Sequence, residues 1–222
     1  MFVGHYTFSW LAKVWAPEIP IWVLLIAVQL VDIAWVTFLF LHIEEVRLEP
    51  GITRTSSLNL IYMPYTHSLL GAIMWSVLGG IWYRYFSGYR GGNKAAIIVG
   101  LAILTHWFED LVVHRKGDPK HGFGLWNLAP AYSLITELTC ILSTTLYYLY
   151  NTDPQPHKIT GKRFWSDWGP TIYLVDMVLT EAVVTLIEPP SELLFRFSFI
   201  FLTAQAVYVG ICMDSVRDVK VK

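Results

Sequence analysis

The chain reads as an all-α protein, a polytopic transmembrane helical bundle of six to seven helices. Three observations predict this. Hydrophobic residues make up 55 % of the 222 residues and charged residues only 15 %, where soluble domains carry about 25 % charged. Six stretches approach the roughly 20 apolar residues that a bilayer-spanning helix needs. Ten Trp and twelve Tyr supply the amphipathic rings that gather at membrane–water interfaces. The 16 Lys and Arg balance 17 Asp and Glu for a net charge of −1, so no basic footprint for nucleic acid exists. A soluble enzyme, a disordered chain and a nucleic-acid binder are excluded together.

The six spans fall at 21–43, 66–86, 94–114, 128–150, 168–187 and 193–213. Residues 2–16 form a shorter apolar stretch that ends at Pro17-Glu18-Ile19-Pro20, where proline ring sterics and a missing N–H stop a helix. At about 1.5 Å per residue it reaches about 22 Å, enough for a tilted or half-inserted helix. A cleavable signal peptide would carry a basic start and a small-x-small site. Neither is present, so the stretch counts as a seventh helix. Loops are short and no repeat is visible, which gives one integral membrane domain over 1–222. Its metal-site half runs to about 127 and its accessory helices span about 128–213. Cys140 and Cys212 lie within spans and read as small buried hydrophobes.

Orientation follows the Lys/Arg count in loops. Lys13, Arg84, Arg90, Lys94, Lys158, Lys162, Arg163, Arg217, Lys220 and Lys222 fall on one face. Arg47, Arg54, Arg115, Lys116 and Lys120 fall on the other, the N-terminal face. Ten against five puts the C-terminus in the cytoplasm or its organellar equivalent.

An ionisable group inside a bilayer is costly and asks for a reason. Six of the seven histidines lie in the first 121 residues. The strongest local signal is Thr105-His106-Trp107-Phe108-Glu109-Asp110 followed by His114. His106 and Asp110, and then Asp110 and His114, stand four apart and project from one helix face. An imidazole and a carboxylate at that spacing can chelate one divalent ion. In Pro64-Tyr65-Thr66-His67-Ser68, Thr66 reads as an N-cap and His67 as first-turn, where neutral imidazole is favoured. Asp32 has no partner nearby in sequence and must be protonated, paired from another helix, or bound to metal. His5, in Gly4-His5-Tyr6-Thr7-Phe8-Ser9, adds little alone. Alternating topology brings these groups to the N-terminal face. Asp32 and His67 differ most in depth, and a re-entrant 44–65 loop would close that gap.

The ordered set Gly4-His5 with Phe8-Ser9, Asp32, Thr66-His67-Ser68-Leu69, and Thr105-His106 with Asp110 resembles a bacterial inner-membrane family. Its members are described as membrane-bound, phospholipase-like metal-dependent hydrolases. The resemblance covers about the first 115 residues. It implies a helical bundle with His5, Asp32, His67, His106 and Asp110 as metal ligands. The family has Asp-x-Asp-His where this chain has Asp32-Ile33-Ala34-Trp35, and His-Arg in the region of Tyr62-Met63-Pro64-Tyr65. These departures remove half of a two-metal site and leave one metal.

The segment after His114 holds Arg115, Lys116, several glycines and Trp126. It reads as a substrate loop or lid, with the cations for an anionic headgroup and Trp126 at the interface. In the last two spans, Glu181 and Arg196 are at matching depth for a pair, and Asp176 and Glu137 could share a proton. The resulting expectation is a hydrolase of a lipid or lipid-phosphate ester holding one divalent metal, zinc first. Asp110 or Glu109 would act as base, and Arg115, Lys116 and Trp126 would bind substrate. The partner is membrane lipid, with protein partners and oligomeric state open. Two alternatives stand beside it: a non-enzymatic complex subunit or assembly factor with a structural or vestigial site, and an ion or proton transporter.

Overall fold

The computed structural model describes residues 2–86, 88, 91–115, 122–155 and 162–220. Seven α-helices occur among them: α1 Thr7–Trp15, α2 Ile21–Phe40, α3 Leu69–Phe86, α4 Gly92–Val113, α5 Pro130–Tyr150, α6 Arg163–Leu186 and α7 Glu192–Asp214. The all-α expectation holds. Two short antiparallel pairs sit outside the bundle, β1 Glu45–Leu48 with β2 Leu58–Tyr62, and β3 Thr152–Pro154 with β4 Arg217–Val219.

The most apolar helix is α2, hydrophobic on every face apart from Gln29 and Asp32. Such a helix belongs in the middle of a bundle, and α2 packs against α1, α3, α4 and α7. It ends in a Schellman turn. His42 takes the left-handed conformation (φ 55°), its N–H donates to Leu39 O, and the Ile43 N–H donates to Phe38 O at 2.9 Å. Helices α3 and α4 approach closely through small residues. Ser76 Oγ donates to Gly100 O at 2.7 Å, and a Cβ on Gly100 would stand 3.0 Å from Ser76 O. Small-residue contacts of this kind are how helices associate in lipid.

The sequence places the start of the fifth span near 168, at Gly169-Pro170. Helix α6 instead begins at Arg163 and carries Pro170 inside it, because the ring removes only one N–H and the turns on either side hold. Helix α7 starts at an ordinary cap, with Ser191 Oγ accepting from Leu194 N–H.

The larger difference is α1. Nine residues cover about 14 Å, short of the roughly 30 Å hydrocarbon core, so α1 is not a seventh span. A 3-10 turn, Val3–Tyr6, precedes it and is wholly buried against α2, α4 and α5. Polar tethers hold α1 in the bundle. Trp10 Nε1 donates to Tyr173 OH at 2.9 Å, and Lys13 Nζ donates to Pro17 O and Ile19 O. Lys13 also pairs with Asp214 at 3.4 Å, whose other oxygen accepts from Tyr148 OH.

Four helices are long and apolar enough to cross a membrane: α2, α4, α6 and α7. Leu70, Val77, Leu78 and Ile81 on α3 and Phe201 and Tyr208 on α7 turn outward and are exposed. Exposed apolar side chains along these helices, with the four long apolar helices, are compatible with an integral membrane protein.

Candidate metal centre

His5 sits in the buried Val3–Tyr6 turn. That turn is held from a distance: Glu137 on α5 accepts from the backbone N–H of Phe2 and Gly4 through one oxygen, at 3.1 and 3.0 Å. Gln29 on α2 donates to Phe2 O. Asp32 lies one turn further along α2. His106 and Asp110 share one face of α4, as their spacing predicts, and both are buried. Their approach is His106 Nε2 to Asp110 Oδ2, 3.3 Å.

His67 arrives differently from the expectation. Thr66 is not the N-cap of α3, and His67 lies before the helix rather than in its first turn. The cap is Ser68, whose Oγ accepts from Gly71 N–H at 3.0 Å. The depth gap between Asp32 and His67 is closed by a turn at 64–67 that buries Thr66 and His67, while 45–62 forms the β1–β2 hairpin. Gly71 permits this turn. A Cβ there would stand 2.5 Å from the Tyr65 carbonyl oxygen.

The three imidazoles share one arrangement. His5 Nδ1 meets Glu109 Oε2 at 2.7 Å. His106 Nδ1 meets the Val28 carbonyl at 2.9 Å, which can only accept, so Nδ1 carries the proton. His67 Nδ1 meets Thr66 Oγ1 at 2.7 Å. That hydroxyl spends its proton on Glu44 Oε2 at 2.6 Å, so it too accepts from the ring. Each ring sets Nδ1 on an outer partner and turns Nε2 inward, the orientation that metal-binding histidines take.

The inward nitrogens converge on two carboxylates. His67 Nε2 is 3.0 Å from Asp32 Oδ1 and 3.5 Å from Asp110 Oδ2. His106 Nε2 is 3.6 Å from Asp32 Oδ1. His5 Nε2 is 3.4 Å from Asp110 Oδ1 and 4.0 Å from Asp32 Oδ2. His5 and His106 stack with ring centroids 3.7 Å apart. Two triads, His5–Asp32–His106 and His67–His106–Asp110, have all their ligand atoms within 4.8 Å of one another and could hold a metal ion.

A divalent ion fits this donor set. Neither His5 Nε2 nor His106 Nε2 has a hydrogen-bond partner among the described residues. If the rings are neutral, Nε2 facing a carboxylate is acceptor against acceptor, and either a metal ion or a proton on the ring relieves it; His67 Nε2 stands at hydrogen-bond distance from Asp32 Oδ1, 3.0 Å. Ligand atoms about 2.0–2.2 Å from a tetrahedral ion stand about 3.3 Å apart, and most of these separations lie close to that.

His114 closes α4 and joins the edge of the cluster, with Nε2 3.5 Å from Asp110 Oδ1 and its ring 5.0 Å from that of Trp126. A cavity of about 420 Å³ opens beside the cluster, and Asp32, His67, Asp110, His114 and Trp126 all line it. Arg115 is not part of that lining. Lys116 lies outside the described residues, as do Arg90, Lys120, Lys158 and Lys222 of the charge count.

Two expected pairs do not form. Arg196 donates to Leu39 O and pairs with Glu192, one turn back on its own helix, while Glu181 accepts from Thr185 and lies against Glu137. Asp176 accepts from Gln205, and Glu137 is taken up by the N-terminal turn. Sequence reasoning missed Glu44 altogether, and it singled out Glu137 but gave it the wrong task. Neither task carries a local signal, since Glu44 acts on Tyr65 and Thr66, 21 and 22 residues away, and Glu137 on Phe2 and Gly4, 135 and 133 residues away. No protein-family model, no curated protein and no solved structure matches the chain.

Proposed function

We propose that this chain is a multi-pass membrane hydrolase dependent on one divalent metal, zinc first, acting on a lipid or lipid-phosphate ester. The observation that carries the reading is the inward convergence of three Nε2 atoms on Asp32 and Asp110 beside an open cavity. His5, His67 and His106 would supply nitrogen ligands and Asp32 and Asp110 oxygen ligands. Zinc suits nitrogen and carboxylate donors of this kind. The chemistry such a centre would supply when loaded is polarisation of a bound ester and a nucleophile near neutral pH. The chain's own groups do the rest. Glu109 orients His5, Glu44 orients His67 through Thr66, and Asp110 or Glu109 would take the proton from water.

In the membrane, α2 to α7 would cross with α1 half-inserted. The site would open at headgroup level on the face that carries fewer cations, and the C-terminus would face the cytoplasm or its organellar equivalent.

Metal content tests this first. Mass spectrometry of the detergent-purified protein should find about one zinc per chain, lost in a His106→Ala/Asp110→Ala double variant. Wild type that folds normally and carries no metal would overturn the reading. A second reading is a structural metal site in a non-enzymatic complex subunit or assembly factor, and the donor count favours it: catalytic zinc sites keep an open position, structural ones are closed, and five protein donors could close this one. Stoichiometric metal with no turnover of any lipid ester, and co-purification in a defined complex, would select it.

A further inference from the structure

Two unlike groups of residues line the cavity beside the candidate metal centre. Helix α7 presents Phe195, Phe199 and Leu202 and α6 presents Val183 and Val184. The hairpin turn from Thr53 to Ser57, four hydroxyl residues around Arg54, lines it as well. This turn is braced. Thr53 Oγ1 donates to Ser56 O at 2.6 Å and accepts from Ser56 N–H at 2.8 Å. The backbone N–H groups of Arg54 and Thr55 both donate to Trp126 O, and Thr55 Oγ1 donates to Leu128 O. The backbone bonds of Arg54 are thereby spent on holding the turn, while its guanidinium is exposed at the rim and has no carboxylate partner among the described residues. Arg47, the other arginine of the hairpin, is already paired with Glu45 at 2.7 Å.

We propose that this cavity binds a phosphate ester of a lipid, with the chain in the limb formed by α6 and α7 and Arg54 as the residue that selects the phosphate. The proposal rests on the hydrolase reading and narrows its substrate from lipid esters in general to anionic ones. A planar guanidinium donates to two phosphate oxygens at once, whereas a carboxylic ester offers no charge to meet it. Three acids also line the wall, Glu137, Glu181 and Glu188. Asp32 and Asp110 of the candidate metal centre line the same cavity, so Arg54 is the one cationic side chain among its described lining residues to meet an anion. The volume, about 420 Å³, lies within the roughly 300–1,000 Å³ of small-molecule sites, enough for a headgroup and part of one chain.

The test is binding to the metal-loaded, detergent-purified protein by calorimetry. The probes are short-chain phosphatidic acid, inorganic phosphate, and monoacylglycerol as the neutral lipid. Phosphatidic acid should bind more tightly than either of the others. Arg54→Ala should weaken it by about tenfold to a hundredfold, the loss expected of a hydrogen-bonded charge. Arg54→Lys should restore part of that, monoacylglycerol should be unaffected, and Arg47→Ala should change nothing. Equal binding of phosphatidic acid by Arg54→Ala and wild type overturns the proposal. So does inorganic phosphate matching the lipid, which would mean the apolar limb is unused. Turnover of a soluble nitrophenyl ester by wild type is measured alongside. Turnover without phosphatidic acid binding removes this proposal and leaves the hydrolase; binding without any turnover does the reverse.

Discussion

Replacing Glu137 tests how the metal centre is held together. Among the described residues it makes no hydrogen bond to any of the five proposed ligands, yet one of its oxygens accepts from the N–H of both Phe2 and Gly4, and so fixes the turn that presents His5. A hydrogen bond to a charged acceptor contributes about 1.5–3 kcal/mol, and one between neutral groups about 0.5–1.5. Glu137→Gln keeps the shape and drops the charge, so two weakened bonds lose about 1–3 kcal/mol of hold on the turn. If that loss passes fully into the metal equilibrium, affinity falls about 5- to 150-fold. The range brackets the 10–100-fold effect typical of groups that orient metal ligands. Glu137→Ala strands two buried N–H groups and should do worse, with a lowered Tm. The assay is competition with a chromophoric chelator on detergent-purified protein, with thermal unfolding measured in parallel. Metal affinity within twofold of wild type in both variants would refute the reasoning and remove His5 from the ligand set.

Three further outcomes follow from the geometry. His42→Gly should raise the unfolding midpoint, because a side chain in the left-handed region costs about 1–2 kcal/mol that glycine avoids; an unchanged or lower Tm would show that the His42 side chain compensates. Gly71→Ala puts a Cβ 2.5 Å from Tyr65 O and should displace the turn that carries His67, costing about 1–3 kcal/mol of stability together with metal affinity; a crystal or cryo-EM structure with an unmoved turn would contradict this. Thr66→Val removes the hydroxyl between His67 and Glu44 and should weaken metal about 10–100-fold while leaving the helical circular dichroism unchanged; loss of helix instead would assign Thr66 to folding.

The helices were readable because a lipid-facing helix writes its burial into an unbroken apolar run. All six long helices lie within a few residues of where hydropathy puts them. The His106–Asp110 pair was equally readable, since four residues along a helix is a fixed direction in space. Asp32 stood out through cost alone: nothing nearby in sequence can satisfy it. The limits appear where a contact is not local. Depth matching joined Glu181 to Arg196, but α7 supplies its own Glu192 one turn away, a nearer partner than any that depth could propose. Helix start signals gave Thr66 the cap and hid its true task, because Glu44 reaches it from the end of α2. Arg54 sat in the charge count as one loop cation among five; only the hairpin's fold over the cavity separates it from Arg47.

The buried N-terminal turn imposes an order in time. The turn that carries His5 leaves the ribosome well before the carboxylate that anchors it, since Gly4 and Glu137 are 133 positions apart. At about 5–20 residues per second that interval is roughly 7 to 27 s. During it α2, α3 and α4 can form, and Asp32, His67, His106 and Asp110 can meet, while His5 waits for α5. On the proposed ligand set, the centre would be built as an open, four-ligand cup and closed last by a turn made before the other four groups. An ion that arrives early meets an incomplete set of donors, and one that arrives late is enclosed by a turn whose latch belongs to the accessory half of the bundle.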